Sequence, residues 1–206
     1  MSFEKDYWSE IYADRLIDGT FNAAKHADYI KSIFALSEFP VRSIIDIGFG
    51  KAKLLEQIGK KINPDRIIAL DVSNLMVETL KKKKWIEKYN IAISHSKFEE
   101  FNTDYLVKYP LDLAISNSVF QYLDDVESNI KKLASIARFS YFSVPTKNDY
   151  LRMENELGFK DKYANVRTKE FYIKLIDKYF TRVSYNLLES KIVREYNYFP
   201  AELYRG

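Results

Sequence analysis

The segment Ile44-Ile45-Asp46-Ile47-Gly48-Phe49-Gly50-Lys51-Ala52 places one acid and two glycines between a β-branched run and an amphipathic one. In that context the residues close a strand and open a helix. Gly48 and Gly50 offer no Cβ and tolerate positive φ, so an adenosyl cofactor can approach the backbone there. Asp71 closes the next β-branched run, 21 residues after Gly50. A carboxylate at that distance is placed to accept hydrogen bonds from ribose hydroxyls. A dinucleotide loop requires a further glycine in G-x-G-x-x-G, but Lys51, Ala52 and Lys53 follow Gly50, and no phosphate-binding pattern is visible. The chain has two histidines, His26 and His95, and no cysteine. Disulfides, thiolate metal sites, iron–sulfur ligation and a cysteine nucleophile are excluded, and no metal site is expected.

These residues need a scaffold of alternating strands and helices. Ser43–Ile47, Arg66–Asp71, Ile91–Ser94, Leu111–Ser116 and Arg138–Val144 read as nearly continuous apolar strands. Between them, helical spacing predicts Lys51–Lys61, Ser73–Lys84 and Asp125–Ala137; in the second, Ser73 is the cap and Leu75, Met76, Thr79 and Leu80 form the buried stripe. Apolar strands alternating with helices point to a parallel sheet covered on both faces. Helices are expected at Phe3–Asp18, at Asn22–Ser37 and at Arg167–Tyr179, the last with Phe171, Leu175 and Ile176 inward. Two final strands, near Phe180–Leu187 and Lys191–Tyr198, are close enough to pair antiparallel, whereas the spacing over Thr146–Val166 assigns no element. Lys81–Lys84 reads as a solvated helix end that complements the helix dipole.

At 206 residues, 47% hydrophobic and 30% charged, the chain has the composition of a globular protein of one domain. Its net charge of +3 gives no argument for a nucleic-acid partner. No apolar run approaches the roughly 18 residues of a membrane helix, and the charged N-terminus has no signal-peptide core, so a cytoplasmic protein without membrane attachment is expected.

The motif around Asp46 resembles that of the class I S-adenosylmethionine-dependent methyltransferases. Ile44–Ala52 is similar to their first motif, hydrophobic–hydrophobic–Asp–x–Gly–x–Gly–x–Gly, with Ala52 standing where the third glycine would be. Asp71–Met76 resembles their second motif, Leu111–Leu123 their fourth-strand motif and Arg167–Tyr185 their late helix and strand, and several branches carry the Tyr7-Trp8-x-x-x-Tyr12 pattern. The resemblance implies an α/β fold with a doubly wound, mostly parallel, seven-stranded sheet, the Rossmann-like methyltransferase fold, with an N-terminal helical cap over residues 1–40. Residues 41–206 would form the cofactor-binding core, with an insert near 146–166, all in one domain. It implies S-adenosyl-L-methionine as cofactor, S-adenosyl-L-homocysteine as product, and Asp46, Gly48, Gly50, Asp71, Val72, Met76, Phe98 and Asn117 as the cofactor-binding residues. The family often carries an acid after strand three for the adenine amino group. Aligned on Phe98-Glu99-Glu100-Phe101, that position is Lys97, or Ser96 with a slip of one, so a backbone contact near Phe98 is expected instead.

Methyl transfer from a sulfonium is an in-line displacement in which the protein supplies proximity, alignment and exclusion of water. The expected activity is transfer to an O or N atom of a small-molecule acceptor, by a monomer or homodimer. The acceptor pocket would lie between the N-terminal helices and the Thr146–Val166 segment, with Tyr150, Arg152, Tyr163 and Arg167 nearby. His26 and Tyr12 are candidate catalytic residues beside their plainer reading as helix packing. Two alternatives stay open: a non-catalytic cofactor-binding partner subunit, motivated by Ala52 and Lys97, and a methyltransferase of RNA or protein, motivated by the lysine run and a pI of about 8.7.

Overall fold

The computed structural model describes residues 22–36 and 38–193. The expected helix Phe3–Asp18, with Tyr7, Trp8 and Tyr12, lies outside them, as do residues 194–198 of the last expected strand. The described residues contain the seven strands of a mostly parallel sheet with flanking helices, and no described helix is long and apolar enough to cross a membrane. The described residues form two compact units, divided between Asn102 and Thr103.

The first unit contains α1 (Ala23–Leu36), β1 (Ser43–Ile47), α2 (Lys53–Ile62), β2 (Arg66–Asp71), α3 (Asn74–Lys81), a 3₁₀ turn (Lys84–Lys88) and β3 (Ile91–His95). Its strands lie in the order β3-β2-β1, all parallel, with Asp46 opposite Ala69 and Asp71 opposite His95. Parallel pairing requires each helix to return the chain to the starting edge, so the carboxyl ends of all three strands share one edge. The glycine loop, Asp71 and His95 are brought together by that constraint.

Ser73 caps α3 as expected, its hydroxyl accepting the Met76 N–H at 3.4 Å. The buried stripe, however, is Met76, Val77 and Leu80, and Leu75 is 39% exposed. Over Asn74–Lys81 the packing turns Val77 inward and leaves Leu75 outward. Met76, Val77 and Leu80 pack with Phe49, Ala52, Leu55, Ile67 and Ala69, and the partly buried Trp85, Tyr89, Ile91 and Ile93 close that cluster. The loop residues Phe49 and Ala52 are therefore anchored in the core.

The second unit contains α4 (Asp104–Lys108), β4 (Leu111–Asn117), a 3₁₀ turn (Phe120–Tyr122), α5 (Val126–Ile136), β5 (Ala137–Ser143), α6 (Lys147–Leu157), α7 (Lys169–Tyr179), β6 (Phe180–Arg182) and β7 (Leu187–Ser190). The strand order is β4-β5-β7-β6, with β4 and β5 parallel and β7 antiparallel to both its neighbours. The expected antiparallel pair exists, but its second strand is Leu187–Ser190, and the described residues 191–193 of the expected strand lie beyond it. Ser190 sets the stop: its hydroxyl donates to the Ala134 carbonyl and accepts the N–H groups of Ile192 and Val193, which removes them from the ladder. In α7, which starts at Lys169 behind its Thr168 cap, the buried residues are Tyr172, Leu175 and Ile176, and Phe171 is 40% exposed. The unassigned 146–166 stretch opens with α6, whose start is held by the Asp149 carboxylate accepting the Thr146 N–H and hydroxyl at 2.8 Å each.

Gly59 of α2 faces the Tyr89 ring, where an added Cβ would lie 3.0 Å from the ring carbon Cζ. Gly59→Val is expected to cost about 1–3 kcal/mol through overpacking, read as a lower urea midpoint. A midpoint restored in the Tyr89→Ala background checks that the ring is the obstacle.

Candidate functional site

The loop after β1 is built from left-handed backbone. Gly48 has φ 69°, Gly50 φ 52° and Ala52 φ 56°. Glycine takes this conformation freely, whereas for alanine it costs roughly 1–2 kcal/mol. Ala52 adopts it all the same, as the N-cap of α2, with its N–H donating to the Phe49 carbonyl at 2.8 Å. Ala52 thus takes the left-handed conformation that a third glycine would adopt freely. The Gly48 N–H donates to the Leu70 carbonyl at 2.7 Å, tying the loop to the end of β2.

Asp71 completes the fastening. One carboxylate oxygen accepts the Gly50 N–H and the other accepts the Ser73 N–H, each at 2.8 Å. Sequence alone leaves an acid at a strand tip solvated and unpaired; here Asp71 is 5% exposed and pins the loops after β1 and β2 together. Burial pushes its carboxyl above the ordinary range, while the Ser73 and Gly50 N–H groups and the nearby His95 oppose the rise. Asp46, one residue before the end of β1, is 3% exposed, and its carboxyl is pushed up to about 8, first by burial and then by the negative charge of Asp71. Of the two buried acids, Asp71 accepts two backbone N–H groups, while Asp46, pushed up to about 8, favours its protonated form at neutral pH.

At the tip of β3, His95 Nε2 lies 2.9 Å from the Val72 carbonyl, and the Ser96 N–H donates to the Asp71 carbonyl at 3.0 Å. Lys97 turns outward and pairs with Glu100 at 3.1 Å. The Ser96 hydroxyl donates to the Lys97 carbonyl at 2.9 Å. Phe98 is buried in the turn that follows.

Of the expected cofactor-binding residues, Asp46, Gly48, Gly50, Asp71, Val72, Met76 and Phe98 all belong to the first unit. Val72 is half-buried in the loop, and Met76 is buried in the core cluster. Asn117 closes β4 in the second unit, opposite Ser143, ahead of a Ser118 at φ 59°. His26 is half-buried on α1, and its pKa is lowered by burial, so the neutral imidazole is favoured. Tyr12 lies outside the described residues. The double fastening by Asp71 and the contact of His95 with Val72 are not legible residue by residue in the sequence. Both depend on strand register, although Asp71 opposite His95 follows once the sheet order is known.

Residues 44–139 match a family model described as a methyltransferase domain. The chain is 32% identical over 91 residues to a malonyl-acyl-carrier-protein O-methyltransferase of Priestia megaterium, which covers 44% of this chain and 31% of that protein. It is 26% identical over 179 residues to malonyl-acyl-carrier-protein O-methyltransferase 1 of Ilyobacter polytropus, covering 79% of this chain and 65% of the relative. The chain thus spans about a third and just under two thirds of the length of these relatives. Among solved structures, the plantazolicin methyltransferase BpumL in complex with SAH superposes with a TM-score of 0.68 at 15% identity, over 85% of this chain and 70% of that one. The N-methyltransferase NodS of Bradyrhizobium japonicum WM9, also with SAH, gives a TM-score of 0.65 at 15% identity, over 90% of this chain and 97% of that one. At such identities the superpositions show a shared fold.

Asp71→Ala is expected to lower the stability of the ligand-free protein by about 1–3 kcal/mol at pH 7, because two buried backbone donors lose their acceptor. Urea unfolding checks it, and an unchanged midpoint would mean that the fastening contributes nothing. Asp46 predicts a pH dependence. Its folded pKa lies above its unfolded one, so the native state binds the extra proton and stability falls as pH rises from about 4 to about 8. The slope from this group is at most about 1.4 kcal/mol per pH unit. Asp46→Asn should flatten the fall measured at pH 5, 6, 7 and 8, leaving only what Asp71 contributes with the same sign.

Proposed function

We propose that the chain, whose residues 44–139 match a methyltransferase-domain family model, is a class I S-adenosylmethionine-dependent methyltransferase that transfers the methyl group of S-adenosyl-L-methionine to an oxygen or nitrogen of a small-molecule acceptor, leaving S-adenosyl-L-homocysteine, with the whole chain acting as one methyltransferase domain. The observation that carries the reading is the left-handed Gly48–Gly50 loop pinned to the buried Asp71 carboxylate at the carboxyl edge of the parallel sheet. A cradle of bare backbone beside two acids fits a nucleoside joined to a cationic amino-acid tail.

The residues fit that ligand in specific ways. Each oxygen of Asp71 uses one lone pair on the loop and keeps another that can accept a ribose hydroxyl. Gly48 and Gly50 leave the backbone open to the ligand. Asp46, protonated when no cation is near, offers a carboxyl that a neighbouring ammonium would ionise. Val72 and Phe98 would border the base, and Met76 supports the loop from the core. The bound cofactor supplies a methyl carried on a sulfonium, already activated for displacement. What remains for the chain is to hold, align and exclude water, and a strong base is needed only when the acceptor atom must lose a proton. The names of the two curated relatives favour oxygen as the accepting atom. The non-catalytic alternative loses one of its motives, since Ala52 takes the left-handed conformation that glycine would adopt freely.

Calorimetry on the purified protein is expected to show binding of S-adenosylmethionine and S-adenosylhomocysteine and none of NAD; tighter binding of NAD would overturn the cofactor assignment. With the cofactor present, S-adenosylhomocysteine release against a panel of carboxylic acids, phenols and amines tests the acceptor class. Binding without release on any of them, or on carrier-protein thioesters of the same acids, would favour the non-catalytic subunit.

A further inference from the structure

We propose that His95 reads the adenine ring of the cofactor through Nδ1, taking the part of a carboxylate that neither Ser96 nor Lys97 supplies; the proposal rests on the cofactor reading above. A backbone carbonyl only accepts hydrogen bonds, so the ring nitrogen 2.9 Å from the Val72 carbonyl, Nε2, carries a proton. In the neutral ring Nδ1 then holds the lone pair, and among the described residues no hydrogen bond occupies it.

The tie to Val72 also directs the ring. His95 ends β3 directly opposite Asp71, and its side chain leans back across the strand ends to the loop that leaves β2. With the ribose on Asp71, one side of β2 is filled by the glycine loop after β1, and the base attached to the sugar has the β3 side left to it. His95 stands at that tip. The side chains that sequence alignment offers for the task are engaged elsewhere: Lys97 bonds Glu100 at the surface, and the Ser96 hydroxyl donates to the Lys97 carbonyl. The 6-amino group of adenine is a donor and matches the lone pair of Nδ1. The 6-oxo group of hypoxanthine is an acceptor and would face that lone pair unmatched.

The test is a preference ratio, which a purely structural role of His95 would leave unchanged. Calorimetric titration should show S-adenosyl-L-homocysteine binding wild-type protein about tenfold or more tightly than S-inosyl-L-homocysteine, the effect of one hydrogen bond gained against one acceptor opposed. In His95→Gln the amide reaches the position of Nε2, so the tie to Val72 survives while the ratio falls to about twofold or less. In His95→Asn the amide oxygen stands where Nδ1 does; both ligands weaken alike and most of the preference remains. His95 is exposed, so both variants should melt within a few degrees of wild type. An intact ratio in His95→Gln, or no preference in the wild type, overturns the role of His95 while tight S-adenosylhomocysteine binding leaves the cofactor reading standing. Binding of neither ligand by wild-type protein overturns both.

Discussion

A carboxylate removed from water must be repaid by donors, and Asp71 obtains them from the backbone. The N–H groups of Gly50 and Ser73 enter its two oxygens from loops that leave different strands. Neither loop has a reason of its own to hold that path. Gly48 and Gly50 can visit left-handed space, but so can glycine in any unfolded segment, and Ser73 can cap α3 from several approach angles. The shared acceptor selects one arrangement from these, and it places a ring of backbone at the edge where three parallel strands end. The same place also sets the electrostatics of Asp46, whose carboxyl is pushed up to about 8 first by burial and then by its neighbour Asp71.

Ala52 shows how far the surrounding structure constrains the loop. Its methyl group is buried in the cluster formed by Phe49, Leu55, Met76 and Leu80, while its backbone is held at φ 56°. Burial of the methyl, worth about 0.8 kcal/mol, offsets part of the left-handed strain. Alanine at this position exchanges local ease for a contact with the core.

In the second unit, single polar side chains decide where elements stop and start. The Ser190 hydroxyl takes up the N–H groups of Ile192 and Val193 and ends β7. Asp149 gathers both donors of Thr146 and starts α6. The Tyr122 hydroxyl and the Tyr163 N–H both donate to Asp161, at 2.8 Å and 3.0 Å, which fastens the loop after α6 to the turn after β4. These contacts give irregular segments fixed positions without extending the sheet.

Much of this was present in the residue order. The β-branched runs Ser43–Ile47 and Arg66–Asp71 bound β1 and β2 to the residue, because buried parallel strands tolerate few polar positions and end where apolar residues end. The spacing from Gly50 to Asp71 marked the site, since one helix and one strand separate them in any βαβ unit. The signal for α6 lay in the T-x-x-D of Thr146 and Asp149. Tertiary structure decided what pattern alone cannot carry. Leu75 and Phe171 face outward and Val77 and Tyr172 inward because neighbouring apolar residues satisfy two helical phases, and only the packed sheet selects one. The solvation of Asp71 and the partner of His95 depend on groups 21 and 23 residues distant in the chain. Local sequence specifies which residues can bond, and strand register determines which of them meet.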